Sequence, residues 1–593
     1  MRSVLAAVIA LFSIVHNANA QTIPAARTTN WSNAGLKDTI PAFPTTIDIT
    51  AHGGTGDGVT ANDTAFLNAL AALNNQPGTI YFPAGNYLFK QTMNVYMDSL
   101  IIKGDGTATK LMFDLGGSPT DMISINGSID NTPFNVTSDV NRNSNAISVA
   151  NVSNFAIGDY IMLSGNDSNI IFSSWAYGSV GQILQITAIT GNSLTVDNKI
   201  RRNYPLSNKP IVKKITPAKS VGIECMYVER KDATSSQTNN INFVHTANCW
   251  VTGVESYMSN FAHVAISYST HVLVRGNYFH HAHAYGGGGQ AYGALVQYTS
   301  GDCLIENNIF EHLRHSMLIQ AGANGNVFAY NYSFDPYWTQ PPFPTNSGGD
   351  MVCHGNYPYL NLFEGNIGQS IVVDDSHGIN GPFNTFFRNR AELYGIFTNA
   401  NPASDSVNYV GNEITNTSGS LGLYLLNGNG HFEHGNNVKS IITPAGSNTV
   451  KESSLYLSST PGYWFAHNAF PSIGAPHPYK TGRNTAKDRY DNNLKTDCIN
   501  NQVYTNIRHT RGNAEGFSIA PNPFTDQLVI TSANKKTTGR YYMYNLAGQI
   551  ILTGETTQGK TILNCSKITP GIYMLEIQNV DGYTSRKKLV KTN

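Results

Sequence analysis

The chain has 593 residues, with 38 Lys+Arg against 38 Asp+Glu, 13% charged residues, 10% aromatics and 54 glycines. So little charge beside so many aromatics and glycines excludes a disordered chain, a coiled coil and a helix-rich enzyme, and fits a turn-rich all-β protein. The exact balance of charge also argues against a nucleic-acid binder, which needs a basic excess to neutralise phosphates.

Residues 1–20 read as a signal peptide: Arg2, an apolar run from Val4 to Val15, and Ala18-Asn19-Ala20 as the small-residue cleavage site. The protein is therefore expected outside the cytoplasm. That run is too short to cross a bilayer and no longer apolar run follows it, so no transmembrane segment is predicted. Six scattered cysteines lack the spacing of a zinc site; the exported compartment permits disulfides without specifying a pairing. After an N-terminal segment, 21–46, the stretch Asp48 to Phe89 reads as the start of a stack. Asp57-Gly58 and Asn62 to Thr64 cap a helix from about Ala65 to Leu73, and Thr79 to Phe82 is the first strand. This stretch, "DITAHGGTGDGVTANDTAFLNALAALNNQPGTIYFPAGNYLF", resembles the opening of the pectate-lyase-superfamily β-helices, which include rhamnogalacturonases and related lyases. The resemblance implies a single-stranded right-handed parallel β-helix over 47–435. It does not fix a reaction, because that fold serves lyases, hydrolases, epimerases and adhesins.

Residues 146–200 break the later rhythm and are expected to be a small β insertion beside the groove. From Ile241 to Thr417 a pattern of apolar pair, Asn and strand residue recurs. Its asparagines are Asn277, Asn308, Asn331, Asn366, Asn389 and Asn412, at steps of 31, 23, 35, 23 and 23, with Glu255 aligned 22 residues earlier. A unit of about 23 residues is one coil of three short strands and three turns. Asn suits such a turn column because its side chain satisfies nearby backbone and stacked copies can bond one another.

The two long steps contain inserts, His280 to Gln290 and Asp335 to Asp350, expected to wall a groove on one side of the stack. Counting back from each Asn stacks His354 above His377, and His315 above Asp350. Asp374 and Asp375 lie one coil beyond Asp350. Being adjacent, they cannot both face the groove from a regular strand, so one or both must lie at a turn. Arg388 and Arg390 flank the inward Asn389 and should point outward. The catalytic candidates are therefore His315, Asp350, His354, Asp374, Asp375 and His377. The substrate-binding candidates are Arg388, Arg390, Arg314, Trp338, Tyr337 and His281, with Glu311 and His312 at the margin.

That set suits cleavage of an acidic glycan. β-Elimination from a uronate needs a counter-charge for the carboxylate, from arginine or a carboxylate-bound Ca²⁺, and a base near neutral pH, which histidine supplies. Hydrolysis instead needs two carboxyl groups about 5–9.5 Å apart, for which Asp350 with Asp374 or Asp375 is the candidate pair. Elimination is slightly favoured, with a glycoside hydrolase of the polygalacturonase or rhamnogalacturonase type as the alternative and a non-catalytic glycan-binding adhesin as the second. No cofactor is required beyond the optional Ca²⁺, and a monomer acting on a polysaccharide is expected.

Residues 436–512 read as a closing coil and a connector. From 513 to 593 short alternating strands with Gly/Asn turns predict a small β-sandwich. Through "NPF", "YNLAGQII", "TPGIYMLEI" and "KKLVK" this block resembles the C-terminal sorting domain of the type IX secretion system of Bacteroidetes. The resemblance implies recognition by that machinery, export across the outer membrane, and release or surface attachment.

Overall fold

A computed structural model of the chain describes residues 21–340, 348–464, 469–474, 482–498, 517–532, 539–545, 550–557, 559–579 and 584–592. The signal-peptide reading of 1–20, part of the second insert and most of the connector lie outside them. The described residues fall into two compact units, within 1–504 and within 505–593.

The first unit is a parallel β-helix. The helix Asp63–Ala72 covers its first coil, and Thr45–Asp48 pairs in parallel with Gly78–Phe82, so the stack starts one strand earlier than expected. Three parallel sheets follow. Sheet A runs through Trp250–Thr252, Leu273–Arg275, Leu304–Glu306, Val327–Ala329, Leu362–Glu364, Thr385–Phe387 and Asn408–Val410. Sheet B runs through Glu255–Ser259, Tyr278–Ala282, Ile309–Glu311 and Tyr332–Phe334. Sheet C runs through Ala262–Ser267, Tyr292–Gln297, His315–Ile319 and Gly349–Cys353, then the ends of Ile367–Val373 and Arg390–Thr398. Inward residues fill the tube; in sheet A, Phe328, Phe363, Phe386 and Tyr409 stack at centroid spacings of 5.0, 5.0 and 5.6 Å.

The 23-residue period has a physical cause. Each Asn side chain donates to the next: Asn277 to Asn308 at 2.9 Å, Asn308 to Asn331 at 3.0 Å, Asn331 to Asn366 at 2.9 Å, Asn366 to Asn389 at 2.9 Å and Asn389 to Asn412 at 3.1 Å. Asn436 ends the column, accepting from Asn412 at 3.0 Å. These amides are fully buried, so the ladder satisfies groups that would otherwise be orphaned. One coil earlier the equivalent position is Val254, whose N–H donates to Asn277, and not Glu255.

Sheet A is covered by the chain itself. The N-terminal segment lies over it: the Trp31 indole donates to the Leu360 carbonyl at 2.7 Å and Arg27 to Asn408 at 2.6 Å. The closing coil is an antiparallel hairpin, Asn436–Val438 with Ile441–Thr443. The segment beyond it runs back as a strap, with Leu455 N–H on Glu364 at 2.7 Å, Tyr456 hydroxyl on Glu306 at 2.8 Å and Asp497 N–H on Gly276 at 2.7 Å. It ends at the Cys225–Cys498 disulfide. The β insertion is wider than expected: its antiparallel strands run from Ser128–Ile129 to Ile211–Thr216 around a core of its own. A buried Arg201–Asp302 ion pair joins it to the coil turns.

The second unit has a three-stranded and a four-stranded antiparallel sheet, with Leu528, Ile530, Met543, Leu575 and Leu589 buried in its core.

Candidate active site

Both inserts leave the turn between sheets B and C, two coils apart, as the step lengths imply. They touch over the intervening turn: Thr339 N–H donates to the Tyr285 carbonyl at 3.3 Å, and Arg314 donates to the Gly286 carbonyl at 2.8 Å. The outer face of sheet C begins beside them.

Alternation along sheet C places two columns outward. Leu295, Leu318, Val352, Val372 and Phe397 form an apolar column in register. Two residues on, Ser267, Gln297, Gln320, His354 and Asp374 form a polar one. There Gln297 donates to Ser267 at 3.3 Å and Gln320 to Gln297 at 2.7 Å. At its end His354 Nδ1–H donates to the Asp374 carboxylate, which also accepts from Ser376 N–H at 3.2 Å. This bond leaves His354 Nε2 as the basic nitrogen.

Two more histidines flank that pair. The His315 ring centroid is 5.5 Å from that of His354, and His377 is 4.9 Å away on the other side. His315 Nδ1–H donates to the Gly349 carbonyl at 3.2 Å, which also leaves its Nε2 with a lone pair. Burial, with the Arg314 charge second, holds His315 well below the usual imidazole range, so it is neutral near pH 7. Burial and the neighbouring His354 lower His377 as well. Tyr292 lies 5.2 Å from His315, and the Arg314 guanidinium sits 5.8 Å from the Tyr292 ring. Trp338 is 5.2 Å from the same guanidinium, whose Nε is buried without a hydrogen-bond partner.

The sequence-derived patch is therefore brought together only in part. His315, His354, Asp374, His377 and Arg314 meet, with Trp338 at the Arg314 end. Asp350 does not join them. Its register partner is Ser316, one residue beyond His315, and it turns into the corner between sheets B and C. There it accepts from Gln369 N–H at 2.6 Å, Ser370 N–H at 3.0 Å and the Ser333 hydroxyl. Burial raises its carboxyl to about 6. Asp374 and Asp375 both follow the last residue of their strand, Val373. Asp375 binds Asn401 N–H at 2.7 Å and lines a shallow groove of about 380 Å³ with Tyr394, Phe397 and Leu425.

Arg388 and Arg390 serve the strap instead. Arg388 donates to the carbonyls of Val450, Glu452 and Ile473, and Arg390 pairs with Glu413 at 2.7 Å and binds the Gly482 carbonyl. His281 and Tyr337 belong to a separate cluster at the end of sheet B, where both stack on His312, at 5.0 and 4.6 Å, and His312 binds Asp335 at 2.8 Å. Among the described residues no group of three or more His, Cys, Asp or Glu is arranged to hold a metal ion.

Sequence reasoning missed Tyr292, Gln297, Gln320, Ser173 and Trp175. Gln297 and Gln320 stand one 23-residue period apart and were open to the same count. Ser173 and Trp175 come from the insertion, where no period operates; Ser173 Oγ lies 3.1 Å from His377 Nδ1, and Trp175 meets the His377 ring edge-on at 5.2 Å.

The comparisons with known proteins agree with the two-part architecture. No curated protein sequence matches the chain. Solved structures similar to it include the tailspike protein gp49 of Pseudomonas phage LKA1, at 15% identity and TM-score 0.47 over 61% of this chain. That match spans 64% of the tailspike's own length. Others are an exopolygalacturonase from Thermotoga maritima, at 10% identity and TM-score 0.35 over 68% and 94% of the two chains, and a Streptomyces thermodiastaticus α-1,3-glucanase catalytic unit, at 11% and 0.38 over 70% and 68%. Residues 46–117 match the family model described as rhamnogalacturonase A/epimerase, pectate lyase-like, and residues 518–592 match the secretion system C-terminal sorting domain, so a pectate-lyase-like β-helix is joined here to a type IX export tail that sends the protein to the cell surface or beyond.

Proposed function

We propose that the protein is an exported polysaccharide-degrading enzyme that cleaves a uronate-bearing or otherwise acidic glycan by β-elimination on the outer face of sheet C. The observation that carries this reading is the His354–Asp374 pair, set between two further histidines at the end of the outward polar column of sheet C.

Asp374 holds the His354 ring by Nδ1, so Nε2 takes the proton from the carbon α to the uronate carboxylate. The released electron pair forms the new C=C bond and the glycosidic C–O bond breaks. The His354 imidazolium then returns its proton to the leaving oxygen, which balances the step. Arg314 supplies the counter-charge that stabilises negative charge building on the carboxylate. His315, held neutral, adds no repulsion when His354 becomes charged. Paired-carboxylate hydrolysis is less well supported, because Asp350 is committed inside the coil and leaves only the sequence neighbours Asp374 and Asp375.

Incubation with polygalacturonate, rhamnogalacturonan and alginate tests the reading. Elimination gives an ultraviolet-absorbing unsaturated product that hydrolysis does not. New reducing ends without that absorbance would establish a hydrolase, and binding without any product would establish an adhesin.

A further inference from the structure

The insertion touches the site through one loop, and that loop exposes apolar surface. Phe172, Trp175 and Tyr177 are 67%, 45% and 55% exposed within six residues. A loose surface loop would make such exposure unremarkable, but this loop is pinned at both ends. Asp167 accepts from Gly178 and Val180 N–H at 2.9 and 3.0 Å, and Asn356 accepts from Phe172 and Ser173 N–H at 3.0 and 2.9 Å. The Thr299 hydroxyl donates to the Ser179 carbonyl at 2.6 Å. Gly378 lets the loop come close, since a Cβ there would lie 2.5 Å from Phe172 Cβ. Large apolar side chains held in place beside a polar site mark a binding surface, because ordering them in water brings no benefit of its own.

Trp175 is the member that reaches the site. Its ring stands nearly perpendicular to those of Tyr298 at 5.9 Å and His377 at 5.2 Å, and nearly half of its surface stays open. Next to Tyr298 run the amides of Gln297 and Gln320, leading to His354. A flat apolar face beside a row of amides fits a pyranose, which has an apolar C–H face and a rim of hydroxyls.

We propose that loop 172–177 is the sugar-binding wall of the sheet C groove, with Trp175 stacking on the C–H face of a glycosyl residue bound next to the one that reacts at His354, and Gln297 and Gln320 binding its hydroxyls. The inserted domain is then a specificity element that selects glycans with an unobstructed pyranose face beside the cleaved bond. This rests on the proposed function of the same groove and assigns the wall a role that the chemistry alone does not require.

The test is affinity electrophoresis of the full chain in gels containing polygalacturonate, rhamnogalacturonan or alginate, with steady-state kinetics on any polymer that is turned over. Trp175→Ala is expected to weaken retardation and raise KM about tenfold, with kcat within about twofold and the pH profile unchanged, and Trp175→Phe to recover most of the loss. His354→Ala is expected to abolish turnover and keep the retardation. Unchanged KM and retardation in Trp175→Ala, with wild-type turnover present, would overturn the wall and leave the enzyme reading standing. Absence of any glycan binding by the wild type would overturn both, whereas a wild-type dimer in sedimentation that Trp175→Ala dissociates while glycan binding is unaffected would overturn the wall alone.

Discussion

Replacing Asn331 by alanine removes four hydrogen bonds from the middle of the coil stack. Its Oδ1 accepts from the Asn308 N–H at 2.9 Å and the Asn308 side chain at 3.0 Å, and its Nδ2 donates to the Ile305 carbonyl and to Asn366, both at 2.9 Å. All these groups are buried, and the Asn308 N–H loses its partner outright. At about 1 kcal/mol for each bond, and up to about 2 more for the orphaned amide, the expected loss is about 4–6 kcal/mol. That is a large share of the ~5–15 kcal/mol that holds a typical domain together. The damage should stay local, because each coil of a solenoid contacts only its neighbours. Hydrogen exchange read by mass spectrometry should show lost protection in peptides covering 304–311 and 327–334, with a lower unfolding temperature for the β-helix. Asn307→Gly is the control: Asn307 is equally buried, but its amide atoms have no partner and its φ is +54°, so glycine there should cost little or nothing. Equal protection in Asn331→Ala and wild type, or equal damage in the two variants, would refute the view that the amide ladder fixes the period.

Asp374→Asn should lower kcat by about 10²–10⁴-fold with a small change in KM, because it removes the carboxylate that fixes the His354 tautomer; initial rates on the cleaved polymer check this. Burial holds His315 and His377 below the ordinary imidazole value, so both rings should take up protons only below pH 6.5, read from their imidazole signals in an NMR titration. The same shifts act on stability. The folded state resists protons that the unfolded chain takes up, so this contribution is complete above about pH 6.5 and is lost as pH falls below it. His315→Gln should flatten that acid-side decline in a series of thermal scans. Reducing the Cys225–Cys498 disulfide, which joins residues 273 apart, should cost up to about 5 kcal/mol and release the strap, seen as exchange of the Leu455 and Asp497 amides.

The fold was legible because one residue type marks one position in every coil. Asn is costly to bury alone and favourable to stack, so its spacing records the path of the chain directly. The register of sheet C was not legible in the same way. His315 and Asp350 both stand 16 residues before an Asn, yet the turn from sheet C to sheet A is one residue longer after Cys353 than after Ile319, which moves Asp350 past His315 and into the corner. The turn after Val373 is longer still, so Asp374, and not His377, stands in register with His354. His377 nevertheless arrives beside His354 because its longer turn folds back over the sheet edge. Arg388 and Arg390 point outward as alternation requires, but the strap that occupies their side comes from residues 450–482, which carry no periodic signal. The insertion's loop was invisible for the same reason.

A crystal structure of the His354→Ala variant with an oligosaccharide of whichever polymer the wild type cleaves tests the central claim most directly. The account predicts sugar on the outer face of sheet C, with a glycosidic oxygen near the vacated His354 position, between His315 and His377, and a carboxylate turned toward Arg314. Sugar seated instead over His281, His312 and Asp335 at the end of sheet B would contradict it.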